Sequence, residues 1–79
     1  MELIIRKENY LVVFTRHAMI RARQRRIPPE MIKECIKTGE MIRFGRNRIK
    51  FRKSFRQYAI VCVDEIAGNE INIVTIEKN

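Results

Sequence analysis

The chain has 79 residues, 46% of them hydrophobic, and a formal net charge of +8, so it is long enough for one modest core and too short for two. Abundant Ile and Val with only 3 Gly and 2 Pro exclude a disordered chain, and no run approaches the roughly 20 apolar residues of a membrane helix. One His and two widely separated Cys offer no metal-ligand spacing. We therefore expect a single domain over residues 1–79, its core at about residues 10–77, with no metal, cofactor, signal peptide or membrane partner and a cytoplasmic setting.

In chain order, "YLVVF" (Tyr10 to Phe14) is β-branched and aromatic and reads as a strand or an extended lead-in. Thr15 stands where a helix N-cap belongs, before a helix-compatible stretch to about Arg25. "IPP" (Ile27 to Pro29) stops it, because proline lacks a donor and drives the preceding residue out of the helical region. A second helix begins at once, with Pro29 suited to its first turn and Gly39 to its end. Its Met31, Ile32, Cys35 and Ile36 fall on one face and call for a sheet to cover. "MIRF" (Met41 to Phe44) reads as a short strand. "RIKFRKSF" alternates Arg48, Lys50 and Arg52 with Ile49 and Phe51, a half-exposed strand with a basic outer face. "YAIVCV" and "INIVTI" are nearly continuous apolar runs, expected to be central strands buried on both faces. Between them "DEIAGNE" offers Gly68-Asn69 as a hairpin turn. Cys35 and Cys62 lie in apolar contexts and are expected as buried free thiols. The resulting fold class is α+β, two N-terminal helices packed on one side of a three- to four-stranded antiparallel sheet.

The positive charge is concentrated in two blocks. Residues 16–26 carry five Arg and no acid, and residues 43–56 carry Arg43, Arg46, Arg48, Lys50, Arg52, Lys53 and Arg56, again without an acid. Clustering of this kind points to a polyanion: nucleic acid, an anionic membrane surface or an acidic protein. A plain solvated basic surface is the alternative.

Within the first block His17, Arg21 and Arg25 recur every fourth residue. Each such step turns a helix about 40° past a full circle and rises about 6 Å, so the three form one ridge, with Ala18, Met19 and Ala22 beside it as the packed arc. Like charges at this spacing disfavour a helix by a few tenths of a kcal/mol. The arginines are then either a solvated face, with Glu30, Glu34 or the acidic hairpin "DEIAGNE" as partners and His17 as a local hydrogen-bonding residue, or a site. As a site, two guanidinium groups can hold one phosphodiester bidentately and stabilise the extra charge of a phosphorane. His17 can shuttle a proton near neutral pH. That is the equipment for metal-independent RNA cleavage by the 2′-OH, less a second proton carrier, for which Lys50, Lys53, Tyr58 and Thr75 are candidates.

The stretch "FTRHAMIRARQRRIPPEMIKECIKTGE", followed by basic strands and a final "INIVTIEK", resembles domain-of-unknown-function (DUF) family 4258 over about Phe14 to Glu77. The family is grouped with the RelE/ParE-like toxins. The resemblance implies that fold, a ribonuclease or toxin role and an acidic antitoxin as a neighbour. It matches His17, Arg21 and Arg25 to the family's polar motif and Thr75 to the polar residue of its last strand. The family usually has Gly where this chain has Arg26. We accordingly expect a metal-independent endoribonuclease acting on RNA, free or ribosome-bound. His17, Arg21, Arg25 and Thr75 would form its catalytic set, and Arg16, Arg46, Arg48, Lys50, Arg52 and Lys53 would bind nucleic acid. The alternatives are a nucleic-acid-binding module without catalysis and a basic domain that docks an acidic, antitoxin-like protein.

Overall fold

The computed structural model describes residues 3–79. In chain order the elements are β1 (Leu3–Lys7), β2 (Tyr10–Phe14), α1 (Arg16–Gln24), α2 (Pro29–Thr38), β3 (Glu40–Phe44), β4 (Arg48–Ser54), β5 (Ala59–Ala67) and β6 (Glu70–Lys78). All six strands join one sheet in the order β1-β2-β6-β5-β4-β3. Neighbours are antiparallel except β2 and β6, which run parallel with Val12 opposite Ile71.

This corrects the expected architecture of two N-terminal helices on a three- to four-stranded antiparallel sheet. The helices follow a hairpin, and the sheet is six-stranded and mixed. The hairpin escapes sequence reading because Glu8 takes the turn's left-handed position, at φ +55°, where Gly, Asn or Asp would have advertised it. The parallel pairing joins opposite ends of the chain, so no local pattern encodes it.

Both helices lie on one face of the sheet. Strand residues on that face include Val12, Phe14, Ile49, Phe51, Ile60, Cys62, Ile71, Ile73 and Ile76, all buried, and they meet Ala18 and Ala22 of α1 and Ile32, Cys35 and Ile36 of α2. The opposite face carries Val61, Val63 and Lys50, each only partly exposed, so β5 and β6 are central strands with one fully buried face, not two. Where Val63 pairs with Thr75 and Asp64 with Ile73, Val74 is the extra residue of a bulge. Bulging switches the side-chain alternation: Ile71 and Ile73 face the helices before it, Ile76 after it.

α1 starts as expected, with Thr15 in extended geometry and its Oγ1 accepting from Ala18 N–H at 3.2 Å. It ends through two reverse-turn bonds, Ile27 N–H to the Ala22 carbonyl at 2.9 Å and Arg26 N–H to the Arg23 carbonyl at 3.1 Å. This closure needs a left-handed residue between them, and Arg26 supplies it at φ +57°, strain of about 1 kcal/mol that Gly would not incur. α2 runs into Gly39 for a different reason. Gly39 has φ −77°, which any residue can adopt, but a Cβ there would sit 2.2 Å from the Cys35 carbonyl oxygen and 2.7 Å from that of Arg52. Only the missing side chain lets α2 end against β4.

Candidate nucleic-acid interface

The ridge on α1 forms, and it spirals. Because each four-residue step drifts by about 40°, the ridge leaves solvent and enters the helix–sheet contact: His17 and Arg21 are exposed, Arg25 half-buried. Arg25 caps the helix, its N–H bonded to the Arg21 carbonyl at 3.0 Å, and its guanidinium donates to the carbonyl oxygen of Ile76 at 2.9 Å. The acceptor lies on β6 beyond Asn72, where pairing with β2 has ended although β5 still pairs on the other side, so Arg25 satisfies a carbonyl on the flank that β2 no longer covers. Arg25 is therefore a strut that fixes the ridge to the sheet edge. His17 and Arg21 hold no hydrogen bond or ion pair among the described residues.

The second basic block is arranged differently. Register places Arg48, Lys50 and Arg52 on the sheet face away from the helices, as the alternation predicts, but each of Arg48 and Lys50 has a neighbour. Arg48 meets Glu65 at 3.3 Å, and Lys50 Nζ lies 5.4 Å from the Phe44 ring centroid. Lys53 is on the helix side, hydrogen-bonded to Thr38 Oγ1 and 3.7 Å from Glu34. Arg46 is exposed in the turn between β3 and β4, and Arg16 opens α1. The expected nucleic-acid-binding residues thus occupy both sides of the sheet.

Thr75 belongs with the outer face. It pairs with Val63, which pairs with Lys50, which pairs with Ile42, a row in which Lys50 and Thr75 stand two strand spacings, about 9–10 Å, apart. Thr75 also immediately precedes Ile76, whose carbonyl Arg25 holds, so the β6 edge joins the α1 ridge to this row. The other proton-carrier candidates are engaged elsewhere. Tyr58 donates its hydroxyl to Met31 Sδ and is tilted against Phe55, with ring centroids 5.9 Å apart. Lys53 is held at α2, and Lys50 lies over Phe44. The arrangement offers one free guanidinium, one imidazole a turn away and a fixed third cation. It can grip a phosphate, and it supplies a single proton-transfer group at that grip.

One buried polar residue went unread. Asp64, expected in the acidic hairpin, lies inside β5, fully buried, with neither carboxylate oxygen hydrogen-bonded. Burial, with Cys35 nearby, pushes its pKa up to about 9, so at neutral pH it is an un-ionised acid. Cys35 and Cys62 are buried and free. Cys35 Sγ donates to the Ile60 carbonyl at 3.5 Å, and the neighbouring thiol and burial push Cys62 upward. The sequence signal for Asp64 was its place in the phase of Ile60 and Cys62, which a polar residue type obscures.

No group of His, Cys, Asp and Glu suited to a metal occurs among the described residues, and no helix there is long and apolar enough to cross a membrane. No curated protein and no solved structure matches the chain. Residues 14–78 match the family model described as a domain of unknown function, DUF4258.

Proposed function

Taking as premise that the chain belongs to the DUF4258 family, we propose that it is an RNA-binding domain that grips phosphates with the exposed end of the α1 ridge. The observation that carries this reading is the pairing state of the cations. Arg21 and His17 project to solvent with no acid or acceptor on them, while Arg25 behind them is fastened to β6. An Arg held on a helix, free to donate two parallel N–H bonds, suits a phosphodiester oxygen pair. A net charge of +8 draws polyanions over a distance. A cytoplasmic setting, where RNA is abundant, fits this role. The wider RelE/ParE-like toxin grouping rests on the sequence resemblance alone.

The test is fluorescence anisotropy with a labelled single-stranded RNA across a salt series. Binding that weakens steeply with salt and that Arg21→Ala weakens further supports the reading. Wild-type affinity no better than that of Arg21→Ala at every salt concentration refutes it.

A second reading, metal-independent cleavage, is favoured by one observation: His17 stands one turn from Arg21, where the ribose 2′-OH next to a phosphate held by Arg21 would lie within reach of an imidazole that takes its proton as it attacks that phosphate and the 5′-oxygen leaves. Incubation with RNA in chelator decides it. Product ending in 2′,3′-cyclic phosphate, lost in His17→Ala, would establish catalysis, and intact RNA, free or ribosome-bound, would leave a binding domain.

A further inference from the structure

The turn between β3 and β4 and the facing end of β5 bound an open pocket of about 420 Å3 that shares no residue with the α1 ridge. Its size lies within the range of about 300–1,000 Å3 typical of ligand clefts. Strand register builds its lining: Phe44 of β3 pairs with Arg48 of β4, and Arg48 with Glu65 of β5. An aromatic ring, a guanidinium and a carboxylate therefore stand in one row, on the sheet face away from the helices. Gly45, at φ +66°, turns the chain back, and Ile66 N–H donates to the Asn47 carbonyl at 2.7 Å, which fastens the turn to β5. Arg46 stands exposed in that turn.

These side chains keep bonding capacity in reserve. Phe44 is 37% exposed although aromatic, and Lys50 Nζ, over its ring, covers one face of the two. Glu65 takes one bond, from Arg48 at 3.3 Å, of the roughly four that a carboxylate can accept. The combination is selective. A bare phosphate meets the Glu65 carboxylate, and a cation meets Arg46 and Arg48. A neutral planar ring that stacks on Phe44, gives N–H donors to Glu65 and carries an anion for Arg46 suits all of them, and that describes a nucleotide. Guanine alone of the four RNA bases sets two donors, N1–H and the N2 amino group, side by side on its Watson–Crick edge, the pattern that a carboxylate accepts with both oxygens. Adenine and cytosine set a donor beside an acceptor there, and uracil flanks its N–H with two carbonyls.

We propose that the pocket at the β3–β4 turn seats a guanine base. The base stacks on Phe44, Glu65 accepts from its N1–H and N2 amino group, Arg48 keeps that carboxylate turned toward it, and Arg46 meets the phosphate of the same nucleotide. That the base arrives on an RNA strand rests on the RNA-binding reading above. The preference for guanine does not.

Amide NMR titrations with GMP, AMP, CMP and UMP read the pocket directly. Saturable shifts at Gly45, Asn47 and Ile66 are expected, with GMP bound at least about fivefold more tightly than the others, the lower end of what a bidentate base contact is worth. Glu65→Gln, which exchanges an acceptor for a donor at an exposed position, should remove the preference. Phe44→Ala should weaken all four nucleotides, and Arg21→Ala should leave the GMP shifts intact. Equal affinities for the four, a preference that survives Glu65→Gln, or no shifts with about 10 mM GMP overturns the proposal. A short uridine-only RNA, with and without one central guanosine, then identifies the source of the base. Tighter binding of the guanosine strand, lost in Glu65→Gln, assigns the base to RNA. GMP-selective shifts with neither strand bound sink the RNA reading and leave the pocket to a free nucleotide, whereas Arg21-dependent binding of both strands with equal nucleotide affinities keeps the RNA reading and sinks the pocket.

Discussion

The two basic blocks look alike in sequence and meet different fates in the fold. In β4, every second residue shares a face with residues of β3 and β5, and cross-strand register delivers neighbours to its cations: Glu65 to Arg48, the Phe44 ring to Lys50. In α1 the residues that share a face are themselves cationic, so His17 and Arg21 reach solvent unengaged. Charge density alone does not mark an anion site. Internal partners engage Arg48, Lys50 and Lys53 of β4, whereas Arg52 on the same strand and Arg46 in the turn before it are exposed and, among the described residues, as unpaired as Arg21.

The contrast would break if the order around β4 depended on a buried charge, and Asp64, opposite Ile49 between Arg48 and Lys50 in register, is the residue to ask. Below the unfolded value near 3.8 both states hold its proton. Above it the unfolded chain releases the proton while the folded one keeps it up to about 9. Stability should therefore fall as pH rises through this window, by up to about 1.4 kcal/mol per pH unit. Denaturant melts at several pH values check this, and Asp64→Asn should flatten the slope. A wild-type slope no steeper than that of Asp64→Asn would mean that Asp64 is ionised and partnered.

Next in size is Gly39→Ala, which forces a methyl against the Arg52 carbonyl and should cost about 2 kcal/mol or more in thermal or urea unfolding. It also loosens α2 from the strand that holds the second block. On the ligand side, Arg21→Glu should weaken RNA binding about tenfold or more and Arg48→Glu less than about threefold, read by anisotropy at fixed salt. Equal losses would erase the distinction between the blocks. The smallest effect is a gain. Arg26→Gly relieves the left-handed strain and should raise stability by up to about 1 kcal/mol, measured as a higher urea midpoint.

Much of the local structure was legible. Thr15 announced the start of α1, the alternation around Ile49 and Phe51 announced a strand with a basic outer face, and Gly68, at φ +64°, announced the last hairpin. Each is a signal contained within a few residues. β1 was lost because Glu8 is a poor emblem of a turn. The parallel partnership of β2 with β6 was lost because it is written in no single segment. For the candidate site, spacing put His17 and Arg21 one turn apart on a helix, and α1 carries both at exposed positions. It could not show that Arg25 is spent on the Ile76 carbonyl, or that Thr75 faces the far side of the sheet with Lys50.

The pairing of β2 with β6 bears on when the molecule acquires its working surface. β3 to β6 form a meander of neighbouring strands whose hairpins close over short loops, the kind of contact that forms early. The first hairpin and α1 dock through contacts between the two ends of the chain, with β6 as the last element. During synthesis, the strut from Arg25 to Ile76 has no acceptor until β6 has emerged. Until then the α1 ridge lacks that anchor to the sheet, and a nascent chain carries His17 and Arg21 on an unfastened segment.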